Sequence, residues 1–520
     1  MKQIFLPLCF IFWINSFAQI TPDKVKQVLT GVLSIQSPSL HNEKLVTSFY
    51  ELNNYHLVWM TNEGWELRKN LLKILSSAQD FGLDQKDYQY AIVQSFNSGL
   101  IPDSSLNSIL TDMRLTDAAI QFLAEVKNGN KQPELSYKGI SYEPYNMPVV
   151  LLLAEYCSKH NLRGIIDKVE SHTREYINAK NLLLQFNKTM LDEGFSESVI
   201  KSNKVEAGNI PLLTKLFQLG IIDSMQVIDQ KVLVQKIQKA QRMFNLMNDG
   251  VLRSTTMDAL NVPVWQRREE LKNALNMIRW VEGIRHGTQI GIINIPSASF
   301  FVYSNDTVSL YSRIVVGKPS TPTPTLSSKI IEVIVYPYWN VPSKIAVKEL
   351  LPSIKRNIGF LDDNNFQVLD KQGRVLDPYK IAWQNLGASS FPYTIRQSTG
   401  CDNSLGVLKF NFYNPFTVYL HDTPYKGLFF LNKRYFSHGC MRIEKPVDLA
   451  QILLKEKASD IETLTKQCLK EQKPKTISLS EPMPLIVLYC TAWYNEKGEI
   501  QFFEDVYHKL SFEKPAVAKY

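Results

Sequence analysis

The chain has 520 residues, with 58 lysines and arginines against 50 aspartates and glutamates and a formal net charge of +8. Hydrophobic residues make up 44% and charged residues 21%, the balance of an ordinary folded protein long enough for about two to four domains. That balance excludes a low-complexity or disordered chain, and the mild positive excess suits an anionic polymer nearby without demanding nucleic acid.

Residues 1–18 read as a secretory signal: Lys2 gives the positive start, Ile4–Ile14 the apolar core, and Ser16-Phe17-Ala18 a small-x-small cleavage site. The apolar run is too short to span a bilayer, and no later stretch reaches a transmembrane length. Cys9 follows Leu8 rather than a small residue, which argues against a lipoprotein anchor. The mature chain is expected to be exported and free of a membrane span. It keeps Cys157, Cys401, Cys440, Cys468 and Cys490, an odd set with no framework spacing. At least one thiol stays free. Cys440 is the expected free thiol and the others are expected to be buried apolar residues.

Residues 19–224 are expected to form a mostly helical domain. Trp65–Ala78, Ser108–Val126 and Met147–His160 carry apolar residues at spacings of three and four. No chemical motif appears there, and Trp59 and Trp65 read as core or groove residues. Residues 225–262 predict a helix with Val234, Ile237, Ala240 and Phe244 on one face, a turn at Asn248-Asp249-Gly250, and a second helix capped by Ser254 or Thr255. Residues 263–288 hold an amphipathic helix, with Leu271, Leu275 and Ile278 opposite Arg267, Glu270 and Lys272.

From Gln289 the pattern turns to strands. Ile290–Ile295, Ser299–Ser304 and Thr307–Val316 are β-rich, with Asn305-Asp306 as a hairpin turn. Gly317-Lys318-Pro319 ends that block, and Lys329–Val335 and Tyr338–Val341 follow. Residues 343–400 differ in texture, with short helical and strand-like pieces around Lys371-Gln372-Gly373. After Arg442 come a helix at Val447–Lys455, a hairpin of Leu485–Trp493 with Ile500–Val506, and a tail at 511–520.

The chemistry gathers in Tyr419–Arg442, YLHDTPYKGLFFLNKRYFSHGCMR. Phe416–Leu420 alternates, which predicts a strand ending at His421 with Thr417, Tyr419 and His421 on its open face. Asp422-Thr423-Pro424 stops the ladder. A thiol is a poor nucleophile until it ionises, and a nearby imidazole is the usual activator. The N–H groups of Gly439 and Cys440 are candidate oxyanion donors. Arg442 offers a fixed charge for a carboxylate-bearing substrate. His421, His438 and Cys440 would also serve as three zinc ligands, but no second Cys or His sits at finger-like spacing, and neither metal nor cofactor is expected.

The string His421, a loop, then Ser437-His438-Gly439-Cys440-x-Arg442 resembles the signature of L,D-transpeptidases with a YkuD-type catalytic domain. HDTP, SHGCMR, GKPSTPTP and YWNVP resemble the large Gram-negative branch of that family. The resemblance implies that Cys440 is the acyl-forming nucleophile and His421 its base, with Arg442, His438, Ser437 and Tyr419 positioning substrate or supporting the loop. The third member of the triad stays open. Gln241, Asp249, Gly250, Thr255, Ala259 and Leu260-Asn261 resemble the small three-helix peptidoglycan-binding module, against the alternative of a plain helical hairpin.

The expected architecture is therefore α+β. It comprises a helical scaffold, a wall-binding module at 225–262, a linking helix at 263–288, and a β-sandwich-like catalytic domain at 289–510 with a capping insertion at about 343–400. The implied reaction, in the periplasm, is cleavage of the position 3–4 bond of a peptidoglycan stem through a thioester and formation of a 3→3 cross-link. Rivals are an L,D-carboxypeptidase, attachment of another amine, a different cysteine peptidase and a non-catalytic wall binder. Papain-like hydrolases place Cys before His, whereas His421 precedes Cys440.

Overall fold

A computed structural model of the chain describes residues 20–31, 40–88, 105–206, 208–225, 229–285, 287–455, 461, 465 and 472–512. The expected signal at 1–18, Cys9, Cys468 and most of the tail (513–520) lie outside the described residues. Two compact units divide the chain: Met1–Asn130 with Pro144–His172, and Lys131–Glu143 with Thr173–Tyr520.

The first unit is helical, built on Glu43–Leu52, Trp65–Ser76, Ser105–Asn128 and Met147–Ser158. Its core gathers Phe49, Leu71, Ile120, Phe122 and Val150. Trp59 is fully buried, while Trp65 is largely exposed. Asp112 is buried inside the longest helix. It is satisfied there by the N–H groups of Trp59 (2.8 Å) and Met60 (2.7 Å) and the Tyr50 hydroxyl (2.6 Å).

The second unit is α+β. Helices Arg174–Leu191, Ile210–Gln218, Gln230–Met243, Ser254–Asn261 and Val264–Arg285 share one core with the sheet residues Ile290, Ile292, Phe301, Ile486 and Trp493. The turn at 248–250 is held by Gln241, whose amide oxygen accepts the Gly250 N–H (2.8 Å) and whose amide nitrogen donates to the Val251 carbonyl (3.0 Å). Gly250 stands at φ +76° with Val234 only 2.6 Å from any added Cβ. Ser254 is already inside its helix, whose N-cap is Arg253. The helix at 264–285 is not half-exposed as its pattern suggested. Arg267 and Glu270 are buried, paired at 2.7 Å, with the guanidinium over the rings of Phe244 and Phe502.

The strands, in chain order, are β1 (Tyr137–Lys138), β2 (Ile290–Asn294), β3 (Ser299–Ser304), β4 (Thr307–Gly317), β5 (Leu326–Val335), β6 (Trp339–Asn340), β7 (Phe366–Leu369), β8 (Val375–Leu376), β9 (Thr394–Gln397), β10 (Leu408–Phe412), β11 (Leu420–His421), β12 (Tyr435–Ser437), β13 (Met441–Ile443), β14 (Lys475–Leu488), β15 (Ala492–Tyr494) and β16 (Ile500–Phe502). Ten of these described strands form one mixed sheet in the order β1-β5-β10-β11-β13-β4-β3-β2-β14, with β12 on β4. Asn305 and Asp306, at φ +49° and +64°, make the tight turn between β3 and β4. Because β14 pairs with both β2 and β5, the sheet closes on itself, where a sandwich-like layer was expected. The register of β14 against β5 shifts between Ser478 and Met483, at a segment containing Pro482. Proline removes a ladder donor, and a bulge bends the strand enough to serve two neighbours. Phe300, Val302, Phe410, Leu420 and Val487 fill the interior. The terminal hairpin is shorter than the expected Leu485–Trp493 with Ile500–Val506: β15 and β16 pair over Ala492–Tyr494 and Ile500–Phe502, while Leu485–Leu488 belongs to β14.

Residues 339–397 carry a separate sheet, β6-β9-β7-β8, with its own core of Val341, Leu351, Leu361, Trp383 and Ile395. The sequence treated Cys401 as a buried apolar residue, and here the structure differs. Cys401 is disulfide-bonded, with its partner outside the described residues, while Cys157, Cys440 and Cys490 are free.

Candidate active site

β11 lies between β10, antiparallel with Lys409 opposite His421, and β13, parallel with Arg442 opposite His421. The strand is shorter than the alternation of 416–421 predicts. Asn414 accepts from the N–H groups of Phe416 and Val418 (both 3.1 Å) and donates to the Val418 carbonyl (2.8 Å), and Thr417 turns to φ +57°. This side-chain network replaces the ladder locally. From Val418 the alternation holds. Val418 and Leu420 enter the ring's core, and the rings of Tyr419 and His421 lie 5.7 Å apart on the other face. The Met441 N–H donates to the Tyr419 carbonyl (3.0 Å), so the register sets Cys440 beside Tyr419 and Arg442 beside His421, on one face.

His421 is buried, and its Nδ1 sits 2.5 Å from the Asp422 carbonyl. That acceptor assigns the proton to Nδ1 and leaves Nε2 with its lone pair. Burial lowers its pKa to about 3, with the positive charges of Arg442 and Lys409 acting in the same direction. The Asp422 side chain anchors this turn: it accepts the Val407 N–H (3.0 Å) and binds Lys426.

Cys440 is partly exposed. Burial of its sulfur raises the thiol pKa, while the Tyr419 N–H and hydroxyl, Lys409 and Arg442 pull it down. The imidazole and thiol are therefore both neutral, and they make no hydrogen bond to each other among the described residues. Trp339 interacts with the Tyr419 hydroxyl, and the Lys409 ammonium lies 4.1 Å from the Tyr419 ring centre. Lys409 has its pKa lowered by burial. Arg442 keeps a buried Nε without a hydrogen-bond partner. Neither cation has an ion-pair partner among the described residues.

The loop before Cys440 is organised differently from expectation. Ser437 Oγ accepts the Gly439 N–H (3.1 Å) and donates to the Cys440 carbonyl (2.5 Å). The Gly439 N–H is thus engaged, and of the two expected oxyanion donors only that of Cys440 lacks a partner among the described residues. Gly439 adopts φ +111°, and that conformation, rather than crowding, requires glycine. Thr323 ties the loop to β4, accepting the Gly317 N–H and donating to the Gly439 carbonyl, both at 2.9 Å. His438 faces outward and meets Glu349 at 2.7 Å and Lys318 at 3.4 Å. Glu349 belongs to the 339–397 region, so that region touches the loop carrying the thiol. Lys409, Trp339, Thr323 and Glu349 were given no role from the sequence, and Asp422 only that of ending a strand. Asp422, Thr323 and Trp339 lie inside the quoted HDTP, GKPSTPTP and YWNVP strings, whereas nothing local marks Lys409 or Glu349.

Residues 288–465 match the L,D-transpeptidase catalytic domain model (YkuD), and residues 44–183 match a Scaffold domain model. The chain thus carries both domains. A Haemophilus influenzae protein named "Putative L,D-transpeptidase" is 40% identical over 215 residues, 41% of this chain and 43% of that protein. The match spans less than half the length of that relative. Among solved structures, an L,D-transpeptidase from Mycobacterium smegmatis is 17% identical, covering 38% of this chain and 58% of its own, with a TM-score of 0.18. L,D-transpeptidase 3 from Mycobacterium tuberculosis, with a faropenem-derived adduct, is 14% identical, covering 39% and 60%, with a TM-score of 0.20. Similarity at this level adds nothing to the domain match.

Proposed function

We propose that the chain is a murein L,D-transpeptidase in which Cys440 attacks the carbonyl joining the third-position diamino acid to a terminal D-alanine. His421 Nε2 takes the thiol proton as the C–S bond forms and returns it to the leaving D-alanine amine. A thioester remains. The side-chain amine of a second stem then attacks the thioester carbonyl, His421 takes a proton from that amine and gives it to the departing sulfur, and a 3→3 cross-link results with the thiol restored. The Cys440 N–H stabilises the oxyanion. The observation that carries this reading is a neutral His421 whose Nδ1–H is committed to the Asp422 carbonyl, on the same sheet face as Cys440. Arg442 and Lys409, cations without carboxylate partners among the described residues, suit a donor stem that brings its own carboxylates. Apo catalytic pairs are commonly loose and tighten with substrate.

The same reading makes 225–262 a wall-binding module and 343–400 a cap over the site. The signal-like residues 1–18 and the disulfide at Cys401 support export to an oxidising envelope compartment. The test is Cys440→Ala. We expect loss of cross-linked dimer from purified disaccharide-tetrapeptide, with an unchanged melting temperature, and a carbapenem mass increment on the wild type only. Retained cross-linking, or an adduct on Cys157 or Cys490, would overturn the assignment.

A further inference from the structure

Outside the thiol site, a cavity of about 200 Å³ opens where three segments meet: the turn after the helix Gln230–Met243, the loop entering β12, and the hairpin β15–β16. Asn245, Tyr311, Arg313, Phe430, Asn432 and Gln501 line it, and it shares no residue with the Cys440–His421 cluster.

Its two cations are already used. Arg434, buried in the floor, donates to the carbonyls of Ile314, Leu431, Asn432, Ser297 and Ala298. Those five acceptors match the five N–H groups of a guanidinium. Arg313 is forked onto Glu444 (3.0 and 2.5 Å) and lies 5.3 Å from the centre of the Phe430 ring. An anion would find no free donor charge, so the cavity suits a neutral ligand. Phe430 is 76% exposed, yet its ring is pinned on one side by the ion-paired Arg313, and its other face is a preformed stacking surface. Around it stand polar groups with capacity left. The Tyr311 hydroxyl and the Asn432 side-chain amide have no partner among the described residues. Gln501 donates to the Arg242 carbonyl (2.6 Å) and keeps its own amide oxygen open.

We propose that this cavity is a saccharide subsite that takes one N-acetylhexosamine unit of the glycan strand. The sugar's C–H face lies on Phe430, and its hydroxyl and acetamide groups bond to Tyr311, Asn432 and Gln501. The volume fits one ring rather than a drug-sized ligand. The choice of a glycan rests on the peptidoglycan reading above. The loop from Phe430 to Ser437 runs directly into the Cys440 turn, so a glycan held here would present its stem to the thiol and raise its local concentration.

The test titrates the full-length protein with end-labelled glycan strands stripped of stems by an amidase, read by fluorescence anisotropy. Phe430→Ala should weaken binding at least tenfold and Asn432→Ala several-fold, with melting temperatures unchanged; Phe430→Trp should retain binding. Failure of the wild type to bind, or binding by Phe430→Ala within twofold of it, overturns the subsite. Turnover of a sugar-free tetrapeptide by the wild type is measured alongside. If glycan binds and the peptide is inert, the transpeptidase reading falls and the subsite stands; if the peptide reacts and glycan does not bind, the reverse holds.

Discussion

Gly406→Ala tests whether the Asp422 carbonyl orients the imidazole. Gly406 adopts φ +60°, a conformation that costs a residue with a Cβ about 1–2 kcal/mol. The added Cβ would lie 2.3 Å from Asp422 Oδ2 and 2.4 Å from its Cγ, well inside contact distance. Asp422 cannot simply swing away, because it is buried and holds the Val407 N–H and Lys426. Losing the bond to Val407 leaves a half-buried donor unpaired, at up to about 1–3 kcal/mol. The two costs reach about 2–5 kcal/mol, a serious fraction of a domain's stability but short of unfolding it. The catalytic effect is separate. A shift of about 1 Å in the carbonyl that receives Nδ1 should slow acylation about 100-fold. Gly373→Ala is the control, since Gly373 sits at φ +79° with nothing within 4 Å of an added Cβ. It bears the backbone cost alone and should acylate normally. Second-order acylation by a carbapenem, followed by mass spectrometry at a temperature where both variants are folded, decides the matter. A folded Gly406→Ala that acylates within threefold of wild type would refute the orienting role.

His421 titrates near 3 rather than in the ordinary histidine range, so its neutral, basic form persists in acid. Carbapenem acylation should therefore stay within twofold between pH 5 and pH 7, and a midpoint near 6.5 in a stopped-flow profile would show that the imidazole is not shielded. The Glu349–His438 contact is a half-exposed pair worth about 1 kcal/mol at most, so Glu349→Ala should raise opening of the 343–400 region by up to about fivefold. Water would then compete better for the thioester, and chromatography at matched acylation should show more tripeptide relative to dimer. An unchanged ratio would show that the contact does not guard the intermediate.

Much of the site was legible because its chemistry is local. His421 and Tyr419 share a face by simple alternation, and the turn at Asn248-Asp249-Gly250 follows from its residues. What was illegible depends on partners far away in sequence. A lone Lys409 between Leu408 and Phe410 reads as a solvent-facing residue, and only the pairing of β10 with β11 sets it against Tyr419. Arg267 and Glu270 read as a wet helix face, but each satisfies the other inside the core. The Gly439 N–H reads as free until the Ser437 hydroxyl is placed. Ring closure rests on β14 reaching both β2 and β5, a non-local pairing that no turn signal announces.

Arg442 and Lys409 flank the proposed catalytic pair from the two strands on either side of β11. Arg442 on β13 and Lys409 on β10 both stand opposite His421, and their charges lower the pKa of His421 and of Cys440 alike. Both cations favour a thiolate and both oppose the imidazolium that must form when the thiol gives up its proton. A substrate carboxylate resting on Arg442 would cancel its share of that opposition while leaving Lys409 to support the sulfur. Binding would then raise the basicity of His421 at the moment the base is needed, a gain expressed in the maximal rate rather than in affinity alone. The hypothesis predicts that amidating the donor-stem carboxylate nearest the scissile bond lowers the saturated single-turnover acylation rate at least tenfold. It also predicts that the acid limb of that saturated rate lies higher for the carboxylate donor than for the amide. If amidation raises KM and leaves the saturated rate unchanged, Arg442 is a handle for the stem and does not tune the base.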